Sequence, residues 1–170
     1  MPDNHKQWMT VKTAFGYVGV GFSGGKVAKL WLPAGNLKKL ESDIRKWVPT
    51  GAKTRDAQLA KKLADYFNGK PVTFGNKLIF QKANSFSNAI LTSLLKVKWG
   101  KTTTYGELAE RAGFKGAGRA VGSVMAKNEI PLIIPCHRVI RADGALGGFS
   151  GPGGVTLKKR MLELEGHYQK

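Results

Sequence analysis

The sequence predicts an α+β protein in two parts: a small α/β domain with its linker over residues 1–82, and a mostly helical domain over residues 83–170. Two features lead there. Near the start, apolar residues alternate with small or polar ones, the period of half-buried strands; beyond residue 85 the apolar residues recur every three or four positions in short runs broken by glycine.

The elements follow in order. Residues 9–32 alternate around Val11, Phe15, Tyr17, Val18, Val20, Phe22, Val27, Leu30 and Leu32, with turn signals at Gly16 and Gly24-Gly25, which predicts two or three antiparallel strands. Leu37, Leu40, Ile44 and Trp47 then recur at helical spacing until Pro49-Thr50-Gly51 stops the run. Leu59, Leu63 and Phe67 predict a second helix ending at Asn68-Gly69, and Lys70–Lys82 is expected to add a strand and the linker. Phe86, Ile90 and Leu94 stack on one face behind Ser85, an expected N-cap. Thr104 and Glu107 have the spacing of a capping box, opening a helix through Leu108 that Gly113 closes. After a turn at residues 113–117, Arg119, Val121, Val124 and Met125 predict another helix ending near Asn128. Two short helices joined by a glycine-containing turn make a helix-turn-helix candidate. The second of them, with Gly116, Ala117, Gly118, Ala120, Gly122 and Ser123, carries almost no relief beyond Arg119. Such a surface lets a backbone approach a sugar-phosphate wall closely and projects one long cation; tight packing inside the protein is the competing reading.

Charge narrows the partners. There are 28 Lys and Arg against 11 Asp and Glu, a formal net charge of +17 and a pI of about 10.2. That excess suits a polyanion, because neutralised phosphates release counterions. The cations are spread, 15 against 5 acids in residues 1–85 and 13 against 6 in residues 86–170, so charge alone does not locate a site, and a solvated surface would look the same. No apolar run approaches the roughly 18 residues a membrane span needs, nor does the chain open like a signal peptide, so an intracellular protein without membrane association is expected. A single cysteine rules out an intrachain disulfide, and with only 3 His the sequence gives no basis for a structural metal site.

That cysteine lies in Ile130-Pro131-Leu132-Ile133-Ile134-Pro135-Cys136-His137-Arg138-Val139-Ile140, between two apolar runs stiffened by prolines. The flanks place Cys136 at the base of a buried pocket. Desolvation makes such a thiol inert, whereas a neighbouring base such as His137, oriented by a carboxylate, would activate it. In isolation a Cys beside a His is more often a small core residue, and several acids could serve as the third group. Gly100-Lys101-Thr102 is not a phosphate-binding loop, since Leu95 occupies the position where that motif requires glycine, and the glycines of residues 144–154 follow no strand-to-helix dinucleotide pattern.

Taken together, Pro135-Cys136-His137-Arg138-Val139-Ile140, Thr104-Tyr105-Gly106, Arg119-Ala120-Val121-Gly122, Asn128, the Gly144–Gly151 loop and Leu164-Glu165-Gly166-His167 resemble the O6-alkylguanine-DNA alkyltransferases, at matching spacing through most of residues 85–170. The resemblance implies a ribonuclease-H-like N-terminal domain, a winged helix-turn-helix-like C-terminal one, and irreversible transfer of an alkyl group from guanine O6 in DNA, with O4-alkylthymine a further candidate substrate. It implies that Cys136 is the acceptor, His137 its base through water and Glu165 the carboxylate that orients the imidazole. Asn128 would tie the active-site turn to its helix, and Tyr105 would donate a hydrogen bond to the departing guanine. Arg119 would fill the gap left in the base stack by the flipped nucleotide. The same resemblance places Gly106, Ser87, Met125, Val139, Arg141, Ala142, Gly148, Phe149 and Ser150 against DNA or the flipped base. It implies no cofactor and no metal, a monomer, and double-stranded DNA containing O6-alkylguanine gripped through the minor groove. The compartment would be the cytoplasm of a prokaryote or the nucleus of a eukaryote. The sequence departs from the family pattern at Phe149, where Tyr is common, at Glu129, where Pro is common, and in a longer Gly151-Pro152-Gly153-Gly154 stretch. A non-catalytic binder of alkylated DNA and a Cys-His hydrolase are the rival readings; the first has no need of a thiol, and the second would turn over many times without alkylated DNA.

Overall fold

The computed structural model describes residues 6–33, 35–75, 77–79 and 85–167. The chain forms two compact units, Met1–Gln81 and Lys82–Lys170. Their boundary, and the end of the linker expected at Lys82, lie outside the described residues.

In the first unit β1 (Lys6–Thr13), β2 (Gly16–Ser23) and β3 (Lys26–Trp31) form an antiparallel meander. Gly24 and Gly25 both take positive φ, 54° and 72°, the backbone a tight β2–β3 hairpin requires and β-branched residues resist. α1 (Leu37–Trp47) follows, its Asn36 cap accepting from Lys39 N at 2.9 Å; then come β4 (Ala52–Lys53) and α2 (Ala57–Phe67), capped by Asp56. The sheet order is β3-β2-β1-β4, and β4 runs parallel to β1, pairing Gln7 with Ala52 and Trp8 with Lys53. The expected antiparallel sheet is therefore mixed. Helix α1 carries the chain back across the sheet, and a crossover of that kind returns the strand parallel. Of the strand expected in Lys70–Lys82, the described residues show an isolated bridge, Leu78 beside Val27, with Val27 N donating to Lys77 O and Ile79 N to Val27 O, both at 2.9 Å. α1 buries Leu40, Ile44 and the following Val48 against Trp8, with Tyr17, Trp31 and Trp47 around them. Gly21 makes this possible: a Cβ there would lie 2.5 Å from the Trp47 ring.

The second unit contains α3 (Ser85–Leu94), β5 (Thr103–Thr104), α4 (Tyr105–Arg111), α5 (Gly118–Ala126), a 3-10 turn at Cys136–Arg138, β6 (Val139–Ile140) and α6 (Gly154–Leu164). Ser85, expected as a cap, is the first residue of α3 itself. β5 and β6 pair in parallel over two residues each. The Thr104–Glu107 capping box is present in both directions, the Glu107 carboxylate accepting from Thr104 N at 2.9 Å and Thr104 Oγ1 from Glu107 N at 3.2 Å. α4 and α5 pack as the expected helix pair, their starts meeting at Gly106 and Gly118, where a Cβ on Gly118 would make ordinary contact 3.5 Å from Gly106 N. Helix α6 was absent from the sequence expectation. Its buried Leu157, Lys158, Met161 and Leu162, and Glu165 beyond, lie at helical spacing.

Candidate active site

The segment between α5 and β6 is built to hold one sulfur still. Asn128 Nδ2 donates to Ile134 O at 2.9 Å while its Oδ1 accepts from Ile130 N at 3.1 Å, closing the apolar run into a compact turn. Within that turn Leu132 adopts φ 74°, the only described residue other than glycine in the left-handed region. Such strain persists where the surroundings over-determine the backbone, and Leu132 is buried. The chain then enters the 3-10 turn, where Cys136 N donates to Ile134 O and Arg138 N to Pro135 O.

Cys136 forms part of the wall of a cavity of about 390 Å³, a size that accommodates a small organic ligand. Tyr105 from the start of α4 faces it, Gly122, Met125 and Ala126 of α5 form one side, and Gly148, Phe149 and Ser150 form the other. Gly147, at φ 71°, lets this loop cross the phenol: a Cβ there would meet Tyr105 Oη at 2.9 Å.

Behind the sulfur lies a buried polar network. His137 Nε2 and Glu165 Oε1 are 2.6 Å apart with both side chains fully buried. Arg138 grips the same carboxylate with two arms, Nε to Oε2 at 2.9 Å and Nη2 to Oε1 at 3.0 Å, while Nη1 donates to Val97 O at 2.6 Å. Gly100 N adds a further bond to Oε2 at 3.2 Å. On the other side Lys158, fully buried, donates to Val139 O at 2.6 Å, Leu146 O at 2.5 Å and Gly148 O at 3.3 Å, so one ammonium joins α6, β6 and the cavity loop.

The electrostatics follow from burial. Burial pushes the Cys136 thiol up, against opposing pulls from the Asn128 side chain, the Lys158 charge and the Cys136 and His137 backbone N–H groups. Burial therefore favours the thiol form of Cys136 over the thiolate. Burial also lowers His137 below the usual imidazole range despite Glu165, with Arg138 and Lys158 acting in the same direction, so the ring is neutral at pH 7. For Glu165, burial works upward but the bonds and charges of His137 and Arg138 outweigh it, bringing the carboxyl to about 2. Burial brings Lys158 down to about 8 and pushes the Tyr105 phenol up, keeping it a donor.

The structure brings Cys136, His137, Glu165, Tyr105 and Asn128 into one neighbourhood, and Met125, Gly148, Phe149 and Ser150 line the cavity. Arg119 is exposed on the first turn of α5, and Gly106 is exposed on α4. Ser87 is half-buried on α3, whereas Val139 is fully buried in β6, outside the cavity wall. Arg141 and Ala142 are exposed, the former paired with Asp143 at 2.8 Å. Sequence reasoning gave no role to Arg138 or Lys158. Their signals were a cation inside the apolar run 130–140 and a lysine in the buried stripe of α6. Among the described residues no group of three His, Cys, Asp or Glu is placed to hold a metal ion, and no helix is long and apolar enough to cross a membrane.

Comparison with known proteins points to methylguanine methyltransferases. Residues 85–167 match the model for the 6-O-methylguanine DNA methyltransferase DNA-binding domain. The methylated-DNA–protein-cysteine methyltransferase of Sulfolobus acidocaldarius is 46% identical over 108 residues, 64% of this chain and 66%, just under two thirds, of that protein. That of Mycobacterium leprae is 39% identical over 121 residues, 71% of this chain and 70% of the relative. A crystal structure of Mycobacterium tuberculosis OGT in complex with DNA superposes with a TM-score of 0.74 at 30% identity, covering 94% of this chain and 92% of that one.

Proposed function

The chain belongs to the methylated-DNA–protein-cysteine methyltransferase family, and on that premise we propose that it repairs DNA by moving the alkyl group of O6-alkylguanine onto Cys136, once per molecule. The observation that carries this reading is a single thiol in the wall of a nucleobase-sized cavity, backed by a buried imidazole–carboxylate pair. A base inside a duplex presents O6 to no such cavity, so the nucleotide must be extruded, with Arg119 filling the space it leaves and the smooth face of α5 lying in the minor groove.

The chemistry balances with this chain's own groups. Glu165 holds Nε2 of His137, so the proton of Cys136 passes toward Nδ1 through a water. Sγ attacks the alkyl carbon, an S–C bond forms, and the C–O6 bond breaks with its electron pair passing to guanine. The Tyr105 phenol donates toward the ring as that charge develops, and the proton lost by the thiol is in the end matched by one gained by guanine. The thioether has no leaving group that water can displace, so the protein is consumed.

Incubation with a duplex containing O6-methylguanine, followed by mass spectrometry, should show one added methyl group per protein, on the Cys136 peptide. Cys136→Ala should abolish methyl loss from the DNA while still binding it. Persistent removal by that variant, or a second equivalent of repaired DNA per molecule, would overturn the proposal. The same assay with O4-methylthymine or bulkier adducts defines the substrate range.

A further inference from the structure

The buried network contains one more ionic group than an imidazole needs to be oriented. A Glu–His pair alone would orient the ring, yet Arg138 is buried with it and spends two of its three nitrogens on Glu165. Both carboxylate oxygens are thereby doubly occupied: Oε1 by His137 and Arg138, Oε2 by Arg138 and Gly100 N. The third nitrogen reaches Val97 O just beyond α3, so the clamp also fixes the segment leading to Gly100.

Resting on the alkyl-transfer reading above, we propose that Arg138 is a positioning residue of that reaction: it neutralises and clamps Glu165, so that the His137 ring stays uncharged and correctly turned until it receives the Cys136 proton. The physical reason is competition for a proton. A bare buried carboxylate 2.6 Å from an imidazole would draw a proton onto the ring and block it as a base. A guanidinium in bidentate contact cancels that pull, and its planar fork fixes the carboxylate plane against the ring. Other charged or titratable groups near His137 are Lys158 from α6, Cys136 on the same turn and Tyr105 of α4, which shares the cavity wall with Cys136. These remain unchanged when only Arg138 is altered.

The test separates charge from geometry through the pH profile of single-turnover transfer from an O6-methylguanine duplex. Arg138→Lys keeps the charge but loses the fork; the acid limb should stay in place while the plateau rate falls about tenfold. Arg138→Met removes the charge; the acid limb should move about one pH unit higher, and raising the pH should recover much of the lost rate. A profile that keeps its parental shape in Arg138→Met, with rate loss matching the fraction unfolded, would make the ion pair merely structural and overturn the proposal. If Arg138→Met does not fold, Arg138→Met/Glu165→Gln removes the stranded carboxylate, and its acid limb should return to the parental position or below; a limb displaced upward would refute the charge argument. Failure of the parent protein to take up methyl would instead defeat the functional reading. The charge claim would then be read from the His137 ring by NMR, where Arg138→Met must still raise the pH at which the imidazole takes its proton, and an unmoved titration would overturn it.

Discussion

Lys158 shows how one side chain can be both a structural and a chemical constraint. An ammonium with no exposure is costly to bury, and three backbone carbonyls at 2.5–3.3 Å compensate it. Two of those carbonyls, of Leu146 and Gly148, belong to the loop that continues into the cavity residues Phe149 and Ser150. Lys158→Met keeps the stem and removes the donors, leaving carbonyls of β6 and the loop without their partner. We expect a stability loss of about 3 kcal/mol, together with faster amide exchange over residues 145–150 and slower transfer. Exchange rates at those amides equal to the parent's would show that the loop holds its shape unaided. Cys136 and His137 are likewise governed by burial; sequence adjacency put a base beside the thiol, but only the three-dimensional enclosure decides the direction.

Helix α5 is the element whose composition speaks most directly about DNA. Its first turn carries Arg119, exposed, on a surface otherwise built from Gly118, Ala120, Gly122 and Ser123. Under the proposed function Arg119 acts on the duplex and not on the transfer step. Arg119→Ala should therefore slow repair of duplex DNA about tenfold, equivalent to ~1.4 kcal/mol, while leaving transfer from free O6-benzylguanine unchanged; equal slowing of both would remove Arg119 from the role of stack filler. Elements with strong periodicity were readable in advance. Leu40 and Ile44 do form the buried face of α1, and Leu59, Leu63 and Phe67 that of α2. The Thr104–Glu107 box marked the start of α4 because its bonds are local. What escaped was non-local. β4 is two exposed residues whose strand character exists only through pairing with Gln7 and Trp8. In α6 the buried stripe contains Lys158, and a lysine interrupts the apolar pattern by which a helix is recognised from sequence. At the site, the Cys-His adjacency was legible, whereas the Arg138–Glu165 contact joins residues 27 apart and needed the fold to reveal it.

At the scale of the whole chain, the two units differ in what holds them together. Among the described residues every buried polar or charged side chain, Thr103, His137, Arg138, Lys158 and Glu165, lies in the second unit. The buried side chains described in the first are apolar or aromatic, such as Trp8, Ile44, Leu63 and Phe67. The two cores should therefore answer acid differently. Glu165 sits at about 2 in the folded protein against 4.5 for an ordinary glutamate, so its contribution is complete above pH 4.5 and is lost as pH falls from there toward 2. His137 is held below 6.5, so the unfolded chain takes its proton first and stability already declines as pH drops below 6.5. Both effects have the same sign and both fall on the second unit. The lowered carboxyls in the first unit, Asp43 and Asp65, pair with lysines in surface salt bridges that contribute little to stability. Denaturation followed by amide exchange at pH 7, 5 and 3 should show the helical unit opening first on acidification, with α6 and the Cys136–Arg138 turn losing protection while the β1–β2 ladder keeps it. Glu165→Gln should flatten the part of that loss between pH 4.5 and 2. Simultaneous loss of protection in both units at every pH would mean that they unfold as one cooperative body, and that the buried ionic network does not set the acid limit of the second unit on its own.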